Sequence, residues 1–160
     1  MWRLWLAAAV AFAADQASKH LVFEGMELSR HEQIDVLPPF LVFRHGLNTG
    51  LNFGLFSASS DLQRWILVAL SVVLCAALLV WARRSFRHGL EFVCAGLVIG
   101  GAMGNALDRV LFPGVRDFLN MACCGFDNPY VFNVADIFIF LGAVGLVLIG
   151  GERDSRKKSR

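Results

Sequence analysis

Four aspartates set the chemistry available to this chain. Asp15, Asp108, Asp117 and Asp136 stand in or beside stretches that are otherwise apolar, and an acid in that setting is costly enough to signal either a function or an obligatory pairing. Asp117 lies in Gly-Val-Arg-Asp-Phe and Asp136 in Phe-Asn-Val-Ala-Asp-Ile. If the chain between them folds back, the two carboxyls meet. Two carboxylates in contact do not both ionise easily, so they share a proton. One can then act as general base on a water while its protonated partner polarises a carbonyl. Such a pair hydrolyses a peptide without metal, cofactor or covalent intermediate. A structural reading stands beside this one. Asn133 can cap a helix whose third residue is Asp136, and Asp117 can pair with Arg116 or Arg109. The residue types alone leave both readings open.

Other chemistries find little in the sequence. The histidines at 20, 31, 45 and 88 are dispersed, and Cys75, Cys94 and the adjacent Cys123-Cys124 have no metal-ligand spacing. There is no nucleophile elbow and no phosphate-cradling glycine loop. No metal and no cofactor are expected.

The elements that must position these acids are membrane helices. Apolar residues make up 56% of the 160-residue chain and charged residues 18%, against about 25% charged in a soluble domain. A soluble fold, a disordered chain, a collagen-like rod and a disulfide-stapled miniprotein are excluded together. One membrane domain over residues 1–160 is predicted, with spans at about 4–23, 65–82, 91–109 and 131–150, each near the length that crosses hydrocarbon. The first is interrupted by Asp15 and Lys19, spaced as a favourable helical pair. It also has features of a cleavable signal peptide, but apolar character resumes at Ala17, which favours a retained span. Four spans put Arg3, Arg83, Arg84, Arg87 and the C-terminal basic cluster on one side, nine of the fifteen Lys and Arg. That side is expected to be cytoplasmic, with both termini inside and the acids collected toward the outer face. The tail at 152–160 reads as an anchor on anionic phospholipid rather than a nucleic-acid contact.

The loop over 24–61 is expected outside. Its Phe40–Phe43 run is β-prone and Asn48-Thr49-Gly50 is a turn signal, so a small extracytoplasmic β-element is predicted, followed by an apolar run with Phe53 and Phe56; a loop packed on the bundle fits the same residues. In the third span Gly96, Gly100, Gly104 and Asp108 repeat every four residues, a stripe that lets a neighbouring helix come close. Asn105, Asp108 and Arg109 end that span as a polar cluster. A proton relay or a non-catalytic bundle would use some of these features, but a relay needs acids at several depths, and here they gather at one end.

Five segments in order resemble the lipoprotein signal peptidases of bacteria, signal peptidase II: Asp-Gln-Ala-Ser-Lys (15–19), Asn-Thr-Gly-Leu-Asn-Phe-Gly (48–54), Gly-Gly-Ala-Met-Gly-Asn-Ala-Leu-Asp-Arg (100–109), Val-Arg-Asp-Phe (115–118) and Phe-Asn-Val-Ala-Asp-Ile (132–137). The resemblance implies an all-α inner-membrane aspartic endopeptidase, a four-helix bundle with Asp117 and Asp136 as its catalytic dyad. It implies a prolipoprotein substrate carrying diacylglycerol, cut just before the lipidated cysteine, and inhibition by globomycin. By the family pattern Asn48, Gly50, Gly104, Asn105, Asp108, Arg109, Asn133 and Ala135 line or shape the site. Within that pattern, Arg109 with Asp108 would fix the end of the third span, and Asp15 and Lys19 would support from the first. Two departures bear on the site. Asn52 stands where the family commonly has Ala, and Arg116 where it is usually apolar. A cation beside Asp117 would lower its pKa; the expected orientation is away from it, toward lipid headgroups.

Overall fold

The computed structural model describes residues 1–38, 40–50, 60–122 and 128–158, with the side chains of residue 60 and of 151–158 left aside. The apolar run at 51–56 with Asn52, the Cys123-Cys124 pair and the side chains of the basic tail lie outside the described residues. Helix α1 (Trp2–His20) continues through one π turn, Leu21–Gly25. Strands β1 (Gln33–Leu37) and β2 (Leu41–Asn48) follow, then α2 (Ser60–Ser85), α3 (Gly89–Leu111), strand β3 (Val115–Met121) and α4 (Val134–Lys158).

Two of the helices, Asp61–Ser85 and Gly89–Leu111, are long and apolar enough to cross a membrane, and Val134–Gly150 is a shorter apolar helix. The polar residues that interrupt α1 are not turned to lipid: Asp15 and Lys19 are fully buried. Helix α3 is the centre of the bundle and packs on α1, α2 and α4. Its glycine stripe explains how. A Cβ on Gly96 would strike the carbonyl oxygen of Leu4, and one on Gly100 that of Ala8, so α1 lies directly on the bare backbone. Gly101 faces the other way, where a Cβ would come within 2.6 Å of the Ala135 carbonyl at the start of α4. Leu4, Ala8, Ala82, Ala95 and Ile99 fill the core between them.

The β-element is a three-stranded antiparallel sheet in the order β1-β2-β3. Leu41–Phe43 of the β-prone run enter β2, with Phe40 in the turn before it, and the sheet is larger than the loop from which it was expected. Its third strand comes from the chain after α3 and carries Asp117, opposite Gly46 of β2. That segment alternates side chains across a strand, which places Arg116 and Asp117 on opposite faces. Beneath the sheet Phe118 is buried among Val22, Phe23 and Leu28, with its ring edge-on to Phe43 at 5.4 Å and to Phe23 at 6.1 Å. These contacts seat the sheet on the end of the helix bundle.

Candidate active site

Asp136 is placed by a helix start. The Asn133 Oδ1 accepts from the Asp136 backbone N–H at 3.0 Å, and the Asp136 Oδ2 accepts from the Asn133 N–H at 3.1 Å. This is a reciprocal cap of the kind the sequence allows, and it does not exclude a second role. The Asn133 side-chain amide also donates to Asp117 Oδ1 at 2.6 Å and to Asn105 Oδ1 at 3.0 Å. One residue therefore touches both carboxyl groups. Asn105 donates its own Nδ2 to Asp136 Oδ1 at 3.0 Å.

Asp117 is 2% exposed and takes hydrogen bonds from the side chains of Asn133 and Asn48. The Asn48 amide is oriented by the turn that follows it: its Oδ1 accepts from the Gly50 N–H at 3.1 Å, which leaves the NH2 for Asp117. Gly50 has φ +104°, a backbone conformation that glycine adopts at no steric cost. Burial, and then the nearby charge of Asp136, push the Asp117 carboxyl up to about 6, against the smaller opposing pull of its two amide donors. A carboxyl so placed holds a proton closer to neutrality than an ordinary aspartate does.

The remaining residues form the floor. Lys19 Nζ lies 2.8 Å from Asp15 Oδ2, 2.9 Å from Asp108 Oδ2 and 3.2 Å from Asn105 Oδ1. Asp15 Oδ1 accepts from the Ala135 N–H at 3.0 Å, so α1 satisfies one of the unpaired amides of the first turn of α4. A Cβ on Gly104 would come within 2.6 Å of the Asp15 carboxylate, which is why that position carries no side chain. Buried Ala135 keeps the surface beside Asp136 low.

Asp108 departs from the expected partnership with Arg109. Its carboxylate takes Lys19 and Arg116, accepting from the Arg116 backbone N–H at 3.0 Å and lying 3.5 Å from its Nη2. Arg109 instead donates to the Asn105 carbonyl at 3.4 Å, and the acids that act on it most strongly are Asp117 and Asp136. Asp108 acts on it too, more weakly. Arg116 does point away from Asp117, though not to headgroups: its guanidinium stacks over Phe112 at 4.2 Å. Sequence reasoning gave Gln16 no role; its Nε2 lies 3.0 Å from Asp15 Oδ2 and 3.3 Å from the Gly104 carbonyl. Gly101 was also missed, although it adjoins the glycine stripe. Among the described residues no cluster of His, Cys, Asp and Glu could hold a metal.

Beside this polar floor lies an apolar cavity of about 290 Å³ between α2, α3 and α4, lined by Leu74, Cys75, Val98, Ala102 and Ile139 and ending on Asn105 and Arg109.

A family model described as signal peptidase (SPase) II matches residues 7–150. The lipoprotein signal peptidase of Methylorubrum extorquens is 41% identical over 143 residues, covering 89% of this chain and 82% of the relative. That of Trichormus variabilis is 36% identical over 158 residues, covering 98% and 95%. A solved bacterial membrane enzyme superposes with a TM-score of 0.82 at 25% identity, covering 100% of this chain and 94% of its own. A second, at 1.9 Å resolution, gives 0.80 at 25% identity, covering 93% and 92%. Bundle, sheet and match define the class, a membrane-embedded protease. The chain belongs to the signal peptidase II family.

Proposed function

We propose that this peptidase removes the signal peptide of diacylglyceryl-modified prolipoproteins, cutting before the lipidated cysteine with a water activated by Asp117 and Asp136. The observation that carries this reading is Asn133, whose amide and backbone N–H hold the two carboxyls in one network at 2.6 and 3.1 Å. Asp136, half-buried and receiving donors from Asn105 and Asn133, is suited to be the charged base. Asp117, pushed up to about 6, is suited to carry the proton. Asp136 takes a proton from water as the water oxygen bonds to the scissile carbonyl carbon, and Asp117 gives its proton to the carbonyl oxygen. The tetrahedral diol then collapses: one hydroxyl returns its proton to Asp117 as the carbonyl re-forms, the C–N bond breaks, and the proton on Asp136 passes to the leaving amine. Arg109 lies where it can steady charge on the reacting carbonyl, and Asn48, Gly50, Gly104, Asp108 and Ala135 shape the cleft.

The apolar cavity that ends on Asn105 and Arg109 suits an apolar side chain of the signal peptide beside the cut, with the acyl chains left in the bilayer. The reading includes four spans in the bacterial inner membrane, both termini cytoplasmic and the carboxyl pair toward the periplasmic face. The burial of Asp15 and Lys19 supports α1 as a span despite its charges, since the pair is neutralised within the protein. Exposed Leu37 and Phe40 on the sheet side suit contact with membrane phospholipid. Globomycin is expected to occupy the same cleft.

The test is cleavage of a purified diacylglyceryl prolipoprotein in detergent. Wild type should cleave and globomycin should block it. Asp117→Asn and Asp136→Asn should each lose about a thousandfold in kcat, the scale of removing a positioned acid or base, while remaining folded. Turnover surviving either change would sink the mechanism.

A further inference from the structure

Lys19 is fully buried and touches neither carboxyl of the pair, yet its ammonium is spent completely. Its three N–H bonds meet three acceptors, Asp15 Oδ2, Asp108 Oδ2 and Asn105 Oδ1. The first two balance its charge. The third has a different consequence, because an Asn side chain has an accepting end and a donating end. Asn105 Oδ1 accepts from Lys19 at 3.2 Å and from Asn133 Nδ2 at 3.0 Å, which turns Nδ2 to Asp136 Oδ1 at 3.0 Å. Rotated by half a turn, the same amide would set its NH2 against two donors and its carbonyl against a carboxylate. An ammonium has no acceptor capacity, so it forbids that rotamer. Arg116, a second cation on Asp108, leaves the group of Asp15, Lys19, Asp108 and Arg116 formally neutral.

We propose that Lys19 is a positioning residue for catalysis, holding the Asn105 amide in the one orientation that donates to Asp136. This rests on the catalytic role proposed for Asp136, and it extends the site to α1.

A double-mutant cycle separates this role from a merely structural one. Lys19→Met, Asn105→Ala and the double variant are assayed for kcat and KM on the lipidated prolipoprotein, with Asp136→Asn as a separate arm. Lys19→Met should lower kcat about 100-fold, the scale of a small misplacement of a catalytic group, with KM within about twofold. The double variant should be no more than about threefold slower than Asn105→Ala alone, because the two residues act as one unit. Losses that multiply, or an unchanged kcat in Lys19→Met, overturn the proposal. Where Lys19→Met does not fold, Lys19→Met with Asp108→Asn removes one charge of each sign, and the cycle is run against Asp108→Asn. Asp15 then keeps its bonds from Gln16 and Ala135. Turnover in Asp136→Asn fells the dyad and this proposal together; a dead Asp136→Asn beside a fully active Lys19→Met fells only the role of Lys19.

Discussion

Helices α2 and α3 are both long enough to cross a membrane, and they are built for different work. Helix α2 contains no glycine and shows Trp65, Ile66, Leu70, Val73 and Trp81 on its exposed surface. Helix α3 has glycine at 96, 100, 101 and 104 in close contact with its neighbours, and it delivers Asn105 and Asp108 to the polar floor. Apolar side chains satisfy lipid, and any sufficiently apolar helix serves that purpose. Backbone contact and a buried polar end demand particular residues at particular positions. The helix that looks less like a membrane anchor is therefore the one that carries the buried polar network.

The sharpest way to break the comparison is to add the same bulk to each helix. Gly104→Val on α3 forces a side chain into the Asp15 carboxylate, 2.6 Å from the ideal Cβ. It should cost at least ~3 kcal/mol, the upper range for overpacking, and abolish cleavage. Ala77→Leu, on an exposed part of α2, should change stability by less than about 0.5 kcal/mol. Thermal unfolding in detergent reads both. Equal costs would mean that the two helices are packed alike.

Next in size is Asn133→Ala, at the junction of α4 with β3. It deletes the side-chain bonds to Asp117, Asn105 and the Asp136 N–H. Loss of the cap should cost about 1 kcal/mol of stability, and release of both carboxyls about 100-fold in kcat. A variant that loses stability alone would show that Asn133 is only a cap.

How far the sequence foretold this follows the same division. The apolar runs, the β-prone stretch Phe40–Phe43 and the glycine spacing on α3 are local patterns, and each corresponds to an element of the fold. The convergence of acids on one end of the bundle was also legible, since basic residues near span ends fix which ends lie together. What stayed hidden was pairing at long range. The bond from the Ala135 N–H to Asp15 spans 120 residues, and no periodicity reports it. Strand β3 has no expectation in the sequence, because a single strand carries no signal for the partner it will join. Arg109 was assigned to Asp108 as its sequence neighbour. The fold brought Lys19 and Arg116 to Asp108 instead, from another helix and from a strand.

A smaller effect separates the sheet from the bundle. The Asp117 carboxyl lies above its unfolded value of about 4, at about 6 in the folded protein. The folded state therefore binds this proton more tightly. The resulting stability is fully present below about pH 4 and is lost as pH rises through about 6. Asp117→Asn removes the titration and leaves a neutral acceptor for Asn133. At pH 7.5 it should unfold a few degrees above wild type, on the order of 2 kcal/mol, and that advantage should vanish near pH 4. Melting curves across this range read the sign directly; an advantage that grows toward acid would reverse the assignment.

The smallest effect is expected at Arg116, the residue whose charge stood to disturb the site most. Strand alternation turns it from Asp117, and Asp108 and the ring of Phe112 hold it there. Arg116→Leu leaves Asp108 with Lys19 at 2.9 Å and with the backbone N–H of residue 116, so the buried carboxylate keeps a cation. The cost should stay near 1 kcal/mol, below the usual penalty for stripping a buried pair. With no cation removed from the face of Asp117, the acid limb of the pH–rate profile should stay where it was, and kcat should hold within about threefold. A limb displaced upward by a full pH unit would place the guanidinium beside the carboxyl pair, and would make the end of α3, rather than its middle, the part of the bundle most closely coupled to the chemistry.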